Sequence, residues 1–253
     1  MKIGLVFFAS IILLSSCSRQ QSKNAGSPST KEAVINKIWE SSGGRKTWQN
    51  SRYLAFSFAP QREGKTVMSR SHLWDRYTGD YRLETKTPTN QDLIVLFNVN
   101  SQKGTSYLDG KILADSLNSK EIKKAYGNFI NDSYWLLAPL KLEDDGVNVT
   151  LEEPEIVDGT KLDVLHLTFG KVGLTPGDQY WIYADSVNGQ IKRWKFLLQG
   201  KQEGVFNWTD YKDLGGGLKL STYKQNINQA GAGIKFLNAS VLTNVDKDKF
   251  TKQ

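Results

Sequence analysis

Short apolar segments, each closed by a Gly, Asn, Asp or Pro turn, run along most of this chain and are broken once by a long stretch of helical period. That rhythm points to a mostly β domain, because strand follows strand, while the ordinary globular composition excludes disorder, collagen and coiled coil. Strand-like segments fall at 52–59, 65–77, 81–87, 92–99, 105–113, 161–169, 179–185, 190–198, 204–211, 218–225 and 233–243. The count is about eleven, and Asn188-Gly189 is the sharpest hairpin signal among the turns between them. Several of these segments are apolar on both faces. Tyr180 and Ile182 oppose Trp181 and Tyr183, while Ile191 and Leu197 oppose Trp194, Phe196 and Leu198. A sheet with one solvated face shows cleaner alternation. Two-sided strands suit a curved sheet whose hollow is filled by helices, with a two-sheet sandwich as the alternative.

Two helices are readable. Ser29-Thr30-Lys31-Glu32 reads as a capping box with Ser29 as N-cap, followed by Val34, Ile35, Ile38 and Trp39 at helical spacing. Gly43 and Gly44 end it, and Trp48 lies just beyond. The longer helix covers 118–138, capped by Asn118. Its stripe is Ile122, Ala125, Tyr126, Phe129, Ile130, Ser133, Leu136 and Leu137, and Tyr134 and Trp135 widen it. Pro139 terminates it. No composition break divides the body, so 29–253 is expected to form one domain: mostly β with two main helices, a curved, unclosed antiparallel sheet (a half-barrel) bearing helices on its concave face.

The N-terminus carries an address. Lys2 precedes an apolar run from Ile3 to Leu14, too short at 1.5 Å per residue to cross a bilayer core of about 30 Å, and typical of a secretory leader. Leu14-Ser15-Ser16-Cys17 follows, and Cys17 is the single cysteine of the chain. This resembles a bacterial lipobox, which implies cleavage after residue 16 and acylation of Cys17, hence a membrane partner reached through the lipid. Residues 17–28 then form the acylated cysteine and a polar tether without apolar period. Ser18 in place of an aspartate favours the outer membrane, and the lack of an acidic cluster in the tether favours its periplasmic face. The formal charge is +7 for the whole chain and +4 once the leader and the tether cations Arg19 and Lys23 are set aside. That is too mild to argue for a nucleic-acid partner.

The sequence lacks several chemistries. Two histidines, His72 and His166, sit in separate strands outside any ligand spacing. There is no G-x-S-x-G elbow, and Gly215-Gly216-Gly217 has no following Lys-Ser/Thr, so it reads as a flexible hairpin connection. No cofactor or metal is implied. Acids cluster at Glu143-Asp144-Asp145 and Glu152-Glu153-Pro154-Glu155, both read as turns. If two of Asp144, Asp145, Glu152 and Glu153 converged in a cleft they could serve a hydrolase. Seven Trp, ten Tyr and eleven Phe are enough to line a greasy cavity.

The helix-Gly43-Gly44-x-x-x-Trp48 opening and the strand meander resemble the superfamily of periplasmic carriers and receptors that sort lipoproteins to the outer membrane. So does Tyr180-Trp181-Ile182-Tyr183-Ala184-Asp185 with its Asn188-Gly189 turn and Ile191. Asp132-Ser133-Tyr134-Trp135-Leu136-Leu137-Ala138-Pro139 and the run from Gly170 to Trp181 resemble signatures of uncharacterised lipoproteins with that fold. The resemblance implies a half-barrel of about eleven strands lidded by helices, and a cavity for acyl chains of lipids or lipoproteins. The residues expected to line such a cavity are Phe129, Trp135 and Leu136 on the helix, with Trp181 and Trp194 on the sheet. A structural envelope lipoprotein, needing no cavity, and a hydrolase are the competing readings.

Overall fold

The computed structural model describes residues 29–170, 177–199 and 201–253. The leader, Cys17 and the tether lie outside them, as does 171–176 within the Gly170 to Trp181 motif. Among the described residues, every element lies between residues 31 and 250.

The strands are β1 (Tyr53–Arg62), β2 (Lys65–Thr66), β3 (Arg70–Asp75), β4 (Asp80–Lys86), β5 (Asp92–Asn98), β6 (Lys103–Leu108) and β7 (Lys111–Ile112). After them come β8 (Val147–Val157), β9 (Thr160–Phe169), β10 (Gln179–Asp185), β11 (Ile191–Leu197), β12 (Glu203–Asp213), β13 (Lys219–Asn226) and β14 (Gly233–Leu242). All belong to one antiparallel sheet, ordered β7-β6-β5-β4-β3-β1-β14-β13-β12-β11-β10-β9-β8, with β2 paired to β1. The sandwich alternative is therefore excluded. The sheet is open, and its first and last strands in sequence meet in its middle, where Tyr53 faces Leu242 and Gln61 faces Gly233.

Fourteen strands stand where about eleven were expected. Segments 65–77 and 105–113 each divide in two. The larger difference is β8, whose Glu152 to Glu155 stretch was read as a solvent turn. Val147, Val149 and Leu151 alternate along it and pack on the core, and the acids straddle a bulge at Pro154, where an edge strand tolerates proline. Other bulges bend the interior. Tyr183 faces Arg193 but Ala184 faces Ile191, so Lys192 is the extra residue. It shifts the parity and puts Ile191 on the same buried face as Trp194, not opposite it. Irregular pairing at Asp210 in β12 and Asn238 in β14 places both residues at positive φ, which Asp and Asn tolerate.

Helix α1 (Lys31–Ser41) is capped by Thr30, whose Oγ1 accepts from the Ala33 N–H, one residue later than the expected Ser29. Gly43 does end it, but a second short helix, α2 (Gly44–Asn50), follows and contains Trp48. The Arg76 guanidinium lies over Trp48 at 3.3 Å and donates to the carbonyls of Trp48 and Ser51, which fastens α2 to the sheet. Burial lowers that guanidinium to about 10. The Gly215 to Gly217 turn is not a free connector. Gly43, at φ 102°, backs directly onto the Gly217 carbonyl, and the Lys219 N–H donates to the Ser42 carbonyl. A Cβ on Gly43 would meet backbone at a positive φ. Gly43→Ala is expected to cost about 1–3 kcal/mol, lowering Tm by roughly 3–10 °C in a thermal melt. An unchanged Tm would show that the turn is not packed.

Helix α3 (Asp115–Leu137) is the one long connection, carrying the chain from the β7 edge to the β8 edge. It begins three residues before Asn118. That side chain instead accepts from the Ser106 N–H and donates to the Gly104 carbonyl, tying α3 to β6. The first half of α3 buries Ile122, Ala125 and Phe129 against Tyr81, Leu83, Val95 and Phe97. The second half joins Leu136 and Leu137 to the main core, which α1 also covers with Ile38 and Trp39. A smaller cluster of Leu162, Val164 and Tyr183, with Trp181 against it, lies on the other face of the sheet. It accounts for the strands that read as apolar on both sides.

Candidate functional site

Alternation along β10 and β11 aims Tyr180 on one strand, and Trp194 and Phe196 on the other, at the face that α3 covers. Phe169 at the end of β9 joins them. From above, Tyr134 and Trp135 flank the buried stripe of α3 and reach down to the same place. Ring centroids lie 4.3 Å apart for Trp135 and Trp194, 5.1 Å for Tyr180 and Trp194, and 4.8 Å for Phe169 and Tyr180. The rings do not fill the space. A cavity of about 410 Å³ remains, walled by these aromatics with Ile130, Val147 and Leu198. Its size falls in the range of about 300–1,000 Å³ usual for small-molecule sites. Asn131, Lys141, Asp144 and Asp145 line its solvent side, and Asp178 is buried in the wall. Among the described residues, the Tyr134 hydroxyl and the Trp194 indole N–H in these walls have no hydrogen-bond partner. Burial pushes the Tyr134 phenol well up, so it stays protonated.

The second notable constellation is ionic and lies mid-helix. Asp132 is fully buried on the core side of α3. It receives a bidentate pair from Arg70, at 2.6 Å from Nε and 2.7 Å from Nη2, and a third contact from His72 Nε2 at 3.1 Å. The Tyr81 hydroxyl meets His72 Nδ1 at 2.8 Å. An ionised Asp132 only accepts, so His72 donates through Nε2 and accepts a hydrogen bond from the Tyr81 hydroxyl at Nδ1. Burial pushes the His72 imidazole down, against the pull of Asp132, which keeps it neutral. Burial alone would raise the Asp132 carboxyl, but hydrogen bonds from His72 and Arg70 outweigh it and hold it below its usual value. This site was not singled out in the sequence. The signal was present: Asp132 falls three residues after Phe129 and four before Leu136, a core position where only a paired acid survives.

Lys224 is stranger still. It is 0% exposed on β13, its ammonium 2.7 Å from the Ser221 carbonyl and 3.6 Å from the centre of the Trp208 ring. No carboxylate pairs with it among the described residues. Burial drives it well below its ordinary value.

The residues expected to line a cavity are only partly together. Trp135 and Trp194 are in its wall. Leu136 is completely buried in the core beside it, and Phe129 packs with Trp74 and Tyr81 in the cluster under the first half of α3. Trp181 is placed on the opposite face of the sheet. There it stacks on His166 at 4.6 Å, its indole reaches Glu152 at 3.4 Å, and Lys195 lies over the ring. The odd-even parity that puts Tyr180 in the cavity necessarily sends Trp181 out. Tyr134, Phe169, Tyr180 and Phe196 are the aromatic lining residues outside the expected set. The carboxylates divide likewise: Asp144 and Asp145 stand side by side at the mouth, and Glu152 is on the far face with His166. No group of three or more acidic, His or Cys side chains suited to a metal ion occurs among the described residues, and none of their helices is long and apolar enough to cross a membrane.

No family model matches the chain, and no curated protein matches it. Among solved structures it is similar to a DUF1329 family protein from Desulfovibrio piger, with a TM-score of 0.49 and 11% identity over 87% of this chain and 96% of that one. A LolA superfamily protein from Nitrosomonas europaea gives a TM-score of 0.49 and 9% identity over 87% and 97% of the two chains. An outer membrane lipoprotein-sorting protein domain from Vibrio parahaemolyticus gives 0.45 and 10% over 82% and 95%. Two of these bear the name of the lipoprotein-sorting superfamily that the sequence motifs resemble; at such scores the likenesses carry no inference about ligand or activity.

Proposed function

We propose that this chain is a lipid-anchored envelope protein that holds a hydrophobic ligand, an acyl chain, without chemically changing it. The observation that carries this reading is the aromatic cavity under Tyr134 and Trp135, open at one end and floored by Tyr180, Trp194 and Phe196. An acyl chain offers little to hydrogen-bond, and its affinity comes from apolar area withdrawn from water, about 25 cal/mol per Å². Cys17, acylated after removal of residues 1–16, would keep the domain at the outer membrane on its periplasmic side, next to a source of such chains. A hydrolase would need carboxylates facing each other across a substrate. Asp144 and Asp145 do share the cavity, but as exposed neighbours in one turn with Asp144 tied to Lys141, while Glu152 lies on the far face with His166, and that supports binding over catalysis.

The test uses the chain from residue 18 onward, which contains the whole fold. A long-chain monoacylglycerol is expected to bind with quenching or enhancement of tryptophan fluorescence. Native mass spectrometry should show one chain per protein. Val147→Trp, which places an indole in the cavity from a half-buried position at the edge of the core, is expected to weaken binding at least tenfold, with a thermal melt close to that of the unaltered protein as the check that the fold is kept. Absence of uptake by the unaltered protein, with no lipid carried through purification, would leave the structural-lipoprotein reading in its place.

A further inference from the structure

Resting on that reading of the cavity and of Cys17, the way the chain enters the domain points to what fills the cavity first. A second hollow lies beside the aromatic one, lined by Lys31, Glu32 and Ile35 from the first turns of α1 and by Leu142, Val147 and Val149. Val147 belongs to the walls of both. The segment 141–145 parts them, giving Leu142 and Glu143 to the second hollow and Lys141, Asp144 and Asp145 to the first. The start of α1, capped by Thr30, is therefore one loop away from the solvent side of the aromatic cavity. Only the 12 residues 17–28 stand between Cys17 and Ser29. A stretch of that length spans at most about 40 Å, several times the width of a helix at about 10–12 Å.

We propose that the cavity of the anchored protein is occupied by the protein's own acyl chain, carried on Cys17, which an incoming lipid has to displace. A ligand joined through so short a linker is present at an effective concentration in the millimolar range, above what a sparingly soluble free lipid reaches in water. Moving one chain from bilayer to cavity exchanges one apolar surrounding for another, so little burial energy is lost. The other chains of an acylated cysteine stay in the bilayer and keep the anchor. Ile35, Leu142, Val147 and Val149 give the route from α1 to the cavity an apolar surface. Occupied in this way, the domain sits with its opening toward the membrane.

The test uses Cys17 as the single thiol of the chain. The chain from residue 17 onward, made without the leader, is labelled there with N-hexadecylmaleimide or, as control, N-ethylmaleimide, and each product is titrated with 1-dodecanoylglycerol. The ethyl-labelled protein is expected to bind one molecule. The hexadecyl-labelled protein should bind at least tenfold more weakly, stay monomeric in native mass spectrometry and melt higher by roughly 5 °C or more, as linkage requires of a filled site. Equal affinity in the two proteins would overturn self-occupancy and leave the cavity open to free lipid. Weakened binding that is confined to dimers and lost on dilution would also overturn it, since the chain would then be lodged in a neighbouring copy. So would membrane-extracted protein whose intact mass shows no acyl chain on Cys17. Failure of the ethyl-labelled protein to take up the glycerol ester, with both proteins melting alike, would instead remove the acyl-binding reading itself and self-occupancy with it.

Discussion

Asp132→Ala should destabilise the fold by about 3–5 kcal/mol, the usual cost of removing one partner from a buried pair. Arg70 would keep its guanidinium against Phe58 and under α3 with nothing to receive its two donors. His72 would lose the acceptor that fixes its tautomer. In a domain of this size the loss corresponds to a Tm lower by on the order of 10 °C, read by circular dichroism or urea titration. The double change Arg70→Met with Asp132→Leu removes both charges and should recover most of the stability, since the penalty belongs to the orphaned cation more than to the missing bond. A single-variant cost below about 1 kcal/mol would mean that the cluster is solvated and not a structural tie. The cluster also predicts a response to acid. His72 is held neutral below its free value of 6.5. Only the unfolded chain takes up that proton, so stability starts to fall as pH drops through 6.5 toward the folded value. Asp132 is depressed below 3.8, so its contribution is intact above that value and is lost as pH falls through the folded one. The double variant should lack the lower part of this decline.

Lys224→Met is expected to act in the opposite direction, raising stability by on the order of a few kcal/mol. The lysine is enclosed by Trp208 and Phe236 and, among the described residues, its one hydrogen-bond partner is the Ser221 carbonyl. Contact with the Trp208 face favours the charged form, but complete burial outweighs it and drives the ammonium toward the neutral amine. The unfolded chain binds a proton at Lys224 below 10.5 that the folded chain resists. Folding is therefore penalised at neutral pH, and stability rises as pH climbs toward 10.5. Methionine fills nearly the same shape without that penalty. The measurement is the pair of urea midpoints at pH 7 and pH 10: the variant should lead by more at pH 7. Equal stability of the two proteins at both pH values would show that Lys224 is hydrated or paired.

Which parts were legible follows from which signals are local. The stripe from Ile122 to Leu137 announces α3, and Asn188-Gly189 announces the β10–β11 hairpin, since each needs only its own neighbours in sequence. Helix α2 was hidden because Gly43 and Gly44 signal an end equally well whether or not another turn begins. Strand β8 was hidden because an edge strand carries acids and a proline for the same reasons a loop does. The bulge at Lys192 could not be read either, and it reverses the face of Ile191. In the cavity, Trp135 and Trp194 were within reach because they lie on clear faces of a helix and a strand. Trp181 lies on the other face because it alternates with Tyr180 along β10, a parity that the sequence already carries. Nothing local could pair Asp132 with Arg70 and His72, which only the crossing of α3 over β3 brings together.

The pairing of β1 with β14 also governs when the molecule can exist. Each half of the chain is a meander that can form from neighbouring hairpins, but the seam between the halves joins residues near the two ends of the domain. Such a contact is slow to close, and until it closes both halves display an unpaired central strand. A growing chain can therefore form the hairpins of its first half early, but the β1 edge stays open until β14, its last strand, has been made. Any truncation that removes 233–242 should leave two aggregation-prone edges and not a smaller version of the same protein.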